Sequence, residues 1–76
     1  MNLETFSQLV KEQKIEVIKF RRNPKDINHW FPMIHCFDGS VHLLINHEDK
    51  EISKSSIEEL VNKLKSYGAK KAEIIF

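Results

Sequence analysis

Four segments of this chain carry apolar residues at both odd and even positions, a pattern typical of strands with both faces covered. They are 15–20 (IEVIKF), 29–37 (HWFPMIHCF), 40–47 (SVHLLINH) and 72–76 (AEIIF). A sheet with one face in water would alternate cleanly between apolar and polar side chains. Since only two segments have helical spacing, either the helices divide between the two faces or a partner chain covers one of them.

The composition predicts a single domain that includes all of residues 1–76. The 12 Lys and Arg against 11 Asp and Glu leave a net charge of +1, far from the basic balance of a dedicated nucleic-acid domain. A lone cysteine, Cys36, excludes an internal disulfide and suits a reducing compartment. No stretch approaches the roughly 20 apolar residues of a membrane span, and the N-terminal segment lacks the pattern of a secretory signal. We therefore expect a cytoplasmic protein with no membrane partner.

Two amphipathic helices are expected. The first covers about 3–13 with Asn2 as its N-cap, because apolar residues recur there at helical spacing. The second begins at Ser55 or Ser56, each of which is followed three residues later by a glutamate that can complete a capping box. Gly68 then stands where a left-handed residue commonly ends a helix.

The strands fall between these helices. We expect them at 15–21, from about 29 to the Asp38-Gly39 turn, from 40 to about 47, and from 72 to 76, with an exposed basic loop at 22–26. The order is α-β-β-β-α-β. This predicts an α+β fold of two layers, in which two helices pack on an antiparallel sheet of about four strands.

The same layout resembles short uncharacterised bacterial proteins of similar size. The matching elements are Leu3-x-x-Phe6, Ile15-x-Val17-Ile18, Asp38-Gly39, Ser56-Ile57-Glu58-Glu59-Leu60 and Ala72-Glu73-Ile74-Ile75. This resemblance covers the whole chain and implies no activity. The α-β-β-β-α portion also resembles double-stranded-RNA-binding domains in the order of its elements. However, residues 55–59 are acidic where that family places phosphate-binding lysines.

The turn at Asp38-Gly39 allows two registers. A two-residue turn opposes His35 to His42, close enough for both imidazoles to reach one metal ion, whereas a three-residue loop with a bulge at Gly39 opposes His35 to Val41. Even the first register lacks the third and fourth ligands of a zinc site, so no metal or other cofactor is predicted.

In the two-residue register one face of the hairpin meets the helices and the other is left bare. The residues expected to face the helices are Ile34, Cys36, Val41, Leu43 and Ile45. The residues expected on the far side, as a candidate interface, are Phe31, Met33, His35, Phe37, His42 and Leu44. Such a patch is larger than a monomer normally leaves in water, which predicts a homodimer or another protein partner.

A basic cluster supports an alternative function in nucleic-acid binding. Its members are Lys19, Arg21, Arg22, Lys25 and the aromatic Trp30. Cations contact phosphates and an aromatic ring can stack on a base, although the same residues can also protect a strand edge and cover a small core. No nucleophile with an adjacent base, paired carboxylates or glycine-rich phosphate loop is evident. The sequence therefore favours a non-enzymatic interaction or regulatory module over a small nucleic-acid-binding protein, and both over an enzyme.

Overall fold

A computed structural model describes residues 1–46, 48 and 50–75, and within them it contains two helices and four strands. In chain order they are α1 (Leu3–Lys11), β1 (Ile15–Asn23), β2 (Asp26–Cys36), β3 (Val41–Leu43), α2 (Ile57–Ser66) and β4 (Ala72–Ile74). The predicted order and α+β class are confirmed. The expected strand ends at His47 and Phe76 lie outside the described residues.

The strands form one sheet in the order β3-β2-β1-β4. β2 is antiparallel to both β1 and β3, whereas β4 runs parallel to β1, with Ile18 beside Ala72 and Phe20 beside Ile74. Each of these two parallel strands follows a helix after a short link. The sheet is therefore mixed, and mostly antiparallel.

The first two strands are longer than expected and the third is shorter. β1 and β2 continue to a two-residue turn at Pro24 and Lys25, where the Asn23 side chain accepts a hydrogen bond of 2.9 Å from the Lys25 N–H. The predicted basic loop is thus the tip of a hairpin. After Leu43 the chain leaves β2, and Ile45 makes an isolated bridge with Glu51 instead.

Both helices pack on the same face of the sheet, as the two-layer prediction requires. The buried side chains they share with the strands are Phe6 from α1, Leu60 and Leu64 from α2, Ile18 and Phe20 from β1, and Ile34 and Cys36 from β2. Burial of one such large apolar side chain stabilises a fold by about 1.5–3 kcal/mol. Neither helix of the described residues lies on the opposite face of the sheet.

The two helices begin and end in equivalent ways. Each has an N-cap side chain, Asn2 or Ser56, that accepts a backbone hydrogen bond from the third residue after it. Two residues after its last residue, each helix is followed by a residue with positive φ, Gln13 at 58° after α1 and Gly68 at 98° after α2. The N–H of the next residue then donates to the carbonyl five residues before it. Lys14 donates to Leu9 at 3.0 Å after α1, and Ala69 donates to Leu64 at 3.1 Å after α2. This is the Schellman arrangement, in which glycine is the usual left-handed residue.

Gln13→Gly should raise the free energy of unfolding by about 0.5–1 kcal/mol. A left-handed non-glycine residue costs roughly 1–2 kcal/mol, and the greater entropy of glycine in the unfolded chain offsets part of that gain. Gly68→Ala is the matched control and should destabilise, since a Cβ there would lie 3.0 Å from Val10 Cγ1 at a positive φ. Urea denaturation measures both changes. A Gln13→Gly variant less stable than wild type would show that the left-handed conformation of Gln13 is not strained.

Candidate interaction surface

A three-residue loop joins β2 to β3. The Cys36 N–H donates to the Ser40 carbonyl at 2.9 Å, and the Gly39 N–H donates to the Cys36 carbonyl at 3.0 Å. Gly39 has a φ of 89°, which a residue with a side chain rarely adopts. The loop sets the pairing of the two strands, which opposes His35 to Val41, as in the bulged alternative considered above.

Asp38 holds this loop through Ser40. One carboxylate oxygen of Asp38 accepts a hydrogen bond from the Ser40 hydroxyl at 2.5 Å and another from the Ser40 N–H at 2.8 Å. These hydrogen bonds, the hydroxyl first and the backbone N–H second, lower the pKa of Asp38. Because the pKa of Asp38 is lower in the folded protein than in the unfolded chain, the ionised carboxylate stabilises the fold fully at pH values above the unfolded pKa. This stabilisation is lost as pH falls through the folded pKa.

Asp38→Asn should therefore destabilise the fold at neutral pH, and the difference from wild type should shrink as pH falls below about 4, the ordinary aspartate value. Ser40→Ala removes the main cause of the shift, so Asp38→Asn should cost less in that background. Denaturation midpoints between about pH 2 and 7 check the expectation. A difference that stays constant over this range would contradict it.

The observed register corrects several placements predicted for the other register. His35 and His42 lie on opposite faces of the sheet, so the hypothesis of a cross-strand histidine pair is wrong. His42 lies on the helix side, where its Nε2 is 3.1 Å from the Ser40 hydroxyl oxygen. Leu44, predicted on the bare side, is 1 % exposed and belongs to the core. Val41 and Leu43, predicted to face the helices, lie on the opposite side. One residue of slip moves every side chain of a strand to the other face.

The sheet face without helices, which we call the open face, divides into two halves. Its residues are Phe31, Met33 and His35 on β2, Val41 and Leu43 on β3, Val17, Lys19 and Arg21 on β1, and Glu73 on β4. The β2–β3 half is apolar apart from its histidine. The β1–β4 half carries mainly charged side chains. Phe37 lies in the loop and lines cavities beside the C-terminal end of α1, so the structure does not place it on the open face.

The centre of the open face is partly shielded from solvent. Val17, which pairs with His35, is 5 % exposed. The Nε2 atom of His35 is buried and has no hydrogen-bond partner among the described residues. A buried polar atom without a partner is unusual in a folded protein.

One edge of the sheet is covered by the chain itself. The Met1 ammonium donates to the Leu43 carbonyl at 3.0 Å, and the Ile45 N–H donates to the Met1 carbonyl at 2.8 Å. Trp30 and Lys54 exchange two backbone hydrogen bonds further along β2. Because these contacts occupy backbone groups that could otherwise pair with another chain, the open face is the more available surface on this side of the molecule.

The structure separates the residues proposed for nucleic-acid binding. Arg21 lies on the open face, whereas Arg22 lies on the helix side with its guanidinium 4.6 Å from the centre of the Trp30 ring. Arg22 also donates to the Ile27 carbonyl at 2.8 Å. Trp30 is 8 % exposed and belongs to the core, so its ring has little surface on which a base could stack. Lys19 shares the open face with Arg21, and Lys25 occupies the hairpin turn.

Arg22→Ala should lower the free energy of unfolding by about 1 kcal/mol, since it removes a cation–π contact and a hydrogen bond. Arg21→Ala removes the same charge from the neighbouring position and should change the free energy of unfolding by less than about 0.5 kcal/mol. Urea denaturation of both variants at low protein concentration makes the comparison. Equal effects would show that the contact with Trp30 contributes nothing to stability.

Comparison with protein-family models, with curated proteins and with solved structures finds no match to this chain. Within residues 1–46, 48 and 50–75, no group of three His, Cys, Asp or Glu side chains is placed to hold a metal ion. The two helices in that part of the chain are also too short and too polar to cross a bilayer. The geometry of the open face therefore carries the functional interpretation.

Proposed function

We propose that this protein is a non-enzymatic interaction module that pairs with a second copy of itself through the open face. The observation that carries the proposal is the one-sided packing of the helices. Both pack on the face formed by side chains such as Ile18 and Ile34, and among the described residues no helix covers the apolar half of the open face. Contact with a second copy would remove that apolar surface from water, a gain of roughly 25 cal/mol per Å².

The dimensions of the open face set the expected strength of this association. Four strands spaced about 4.8 Å apart and three rows of side chains give a face roughly 19 Å by 20 Å. That area, roughly 380 Å², is about half of the 800 Å² that each partner buries in a standard stable interface, and is in the range of weak, transient contacts. We therefore expect a dimer with a dissociation constant in the micromolar range.

The arrangement of side chains suits self-pairing. A two-fold axis that runs across the strands would place the apolar half of one face on the apolar half of the other. The charged half contains its own complement, since Lys19 and Glu73 are cross-strand neighbours. That axis places β1 on β1 and β4 on β4, so the two Lys19 side chains approach each other, and the Glu73 beside each of them offsets this like charge.

Val41→Lys should convert a concentration-dependent dimer into a folded monomer. Val41 is 45 % exposed on the open face, and a lysine there would place a charge in the apolar half of the contact. Ile74→Lys is the matched control, because Ile74 is also β-branched, lies on the opposite outer strand, is 47 % exposed and shares the helix side of the sheet with Phe20.

Sedimentation velocity over a range of concentrations, with circular dichroism to verify folding, distinguishes the two variants. Wild type and Ile74→Lys should associate alike, and Val41→Lys should stay monomeric. Met33→Lys gives a second test on the neighbouring strand. Wild-type protein that remains monomeric at ~1 mM, far above the expected dissociation constant, would refute self-pairing.

A further inference from the structure

A groove lies on the helix side of the sheet, beside the strand that the helices do not cover. Ala72 and Ile74 of β4 face the same way as Ile18 and Phe20 of β1, their pairing partners. The two β1 side chains are buried, whereas both β4 side chains are exposed. The helix layer thus ends over β1, and a gap remains between α2 and β4.

The smaller of two cavities, about 220 Å³, occupies this gap, and the larger, about 360 Å³, lies next to it among the C-terminal end of α1, β1 and the residues that follow α2. Both are lined by Ile18 and by the link 69–71, which passes between α2 and β4. Apolar side chains form most of the wall of the smaller cavity, including Val61, Leu64 and Ala72. The larger cavity is lined about equally by polar residues and by apolar ones such as Val10 and Ile15. The larger volume is near the lower end of the range for small-ligand sites, about 300–1,000 Å³, and the smaller is below it, whereas the two together lie well within it.

The polar lining of the groove is mainly cationic. Lys65, Lys70 and Lys71 line it, and Glu16 carries the one carboxylate among the described residues of its walls. None of the three lysines forms an ion pair within the described part of the chain. Lys65 lies in the last turn of α2, where it complements the helix dipole. Lys70 and Lys71 lie beyond that turn, where the influence of the dipole is weak.

We propose that this groove binds a small organic anion with an apolar group, of the class of a medium-chain fatty carboxylate. The carboxylate would contact the ammonium groups of Lys70 and Lys71, and the alkyl chain would lie against the apolar wall at Ile18. An apolar cavity with a few convergent charged groups is the usual construction of a ligand site. The groove is on the opposite side of the sheet from the open face, so its ligand does not depend on self-pairing.

Titration with octanoate, followed by amide chemical shifts of the ¹⁵N-labelled protein, tests the proposal. We expect the largest shifts at residues 69–72 and at Ile18, with saturation. Acetate, which lacks the chain, and octylammonium, which reverses the charge, should each bind at least about tenfold more weakly, as loss of roughly 1.4 kcal/mol implies. Equal binding of octylammonium, or shifts confined to the open face, would overturn the proposal.

Two kinds of variant separate the charge of the groove from its shape. Lys70→Gln with Lys71→Gln should weaken octanoate binding at least about fivefold, the effect of losing two charge-assisted contacts. Lys25→Gln with Lys50→Gln removes the same charge away from the groove and should leave binding unchanged. Ala72→Leu fills the smaller cavity at an exposed position and should also weaken binding. Unchanged affinity in the Lys70 and Lys71 double variant, with its fold intact, would refute the site.

Discussion

The hydrogen bonds that the Asp38 carboxylate accepts from Ser40 help to hold the loop whose length decides which side chains reach the open face. A loop shorter by one residue would turn every side chain of β3 to the opposite face of the sheet and would bury a different set of side chains. In the observed register Leu44 enters the core, while Val41 faces solvent. The surface proposed for association is thus a consequence of one turn, in which Gly39 supplies the positive φ that a bulged three-residue loop requires.

A second constraint is that both helices enter the sheet in the same way. Each is followed by a left-handed residue, Gln13 or Gly68, and leads within a few residues into β1 or β4. These two strands run parallel, whereas β2 is antiparallel to both β1 and β3. The close approach of Gly68 to Val10 brings the ends of the helices together over β1. β4 consequently lies outside the helix layer, and the groove beside it follows from that packing.

Local signals predicted much of the fold correctly. Ser56 at the N-cap and Gly68 after the last turn allowed both ends of α2 to be predicted, because each residue acts on backbone groups close to it in sequence. The strand register could not be chosen in the same way, since Asp38-Gly39 is compatible with loops of two or three residues. The side chain of Arg22 is a further example, because its contact with Trp30 depends on the pairing of β1 with β2. Properties that depend on pairing between distant segments were therefore the ones that the residue pattern left open or assigned wrongly.

The two proposed surfaces share β1, which has side chains on both of them. Ile18 and Phe20 point to the core and the groove, and Lys19 and Arg21 point to the open face. The inward pair is packed among buried side chains of both helices, so the strand is held in one position. Coupling between distant sites requires an element with two arrangements that both ligands can bias. Because β1 is held by this core, an anion in the groove would leave the geometry of the open face unchanged, and the two surfaces would act independently.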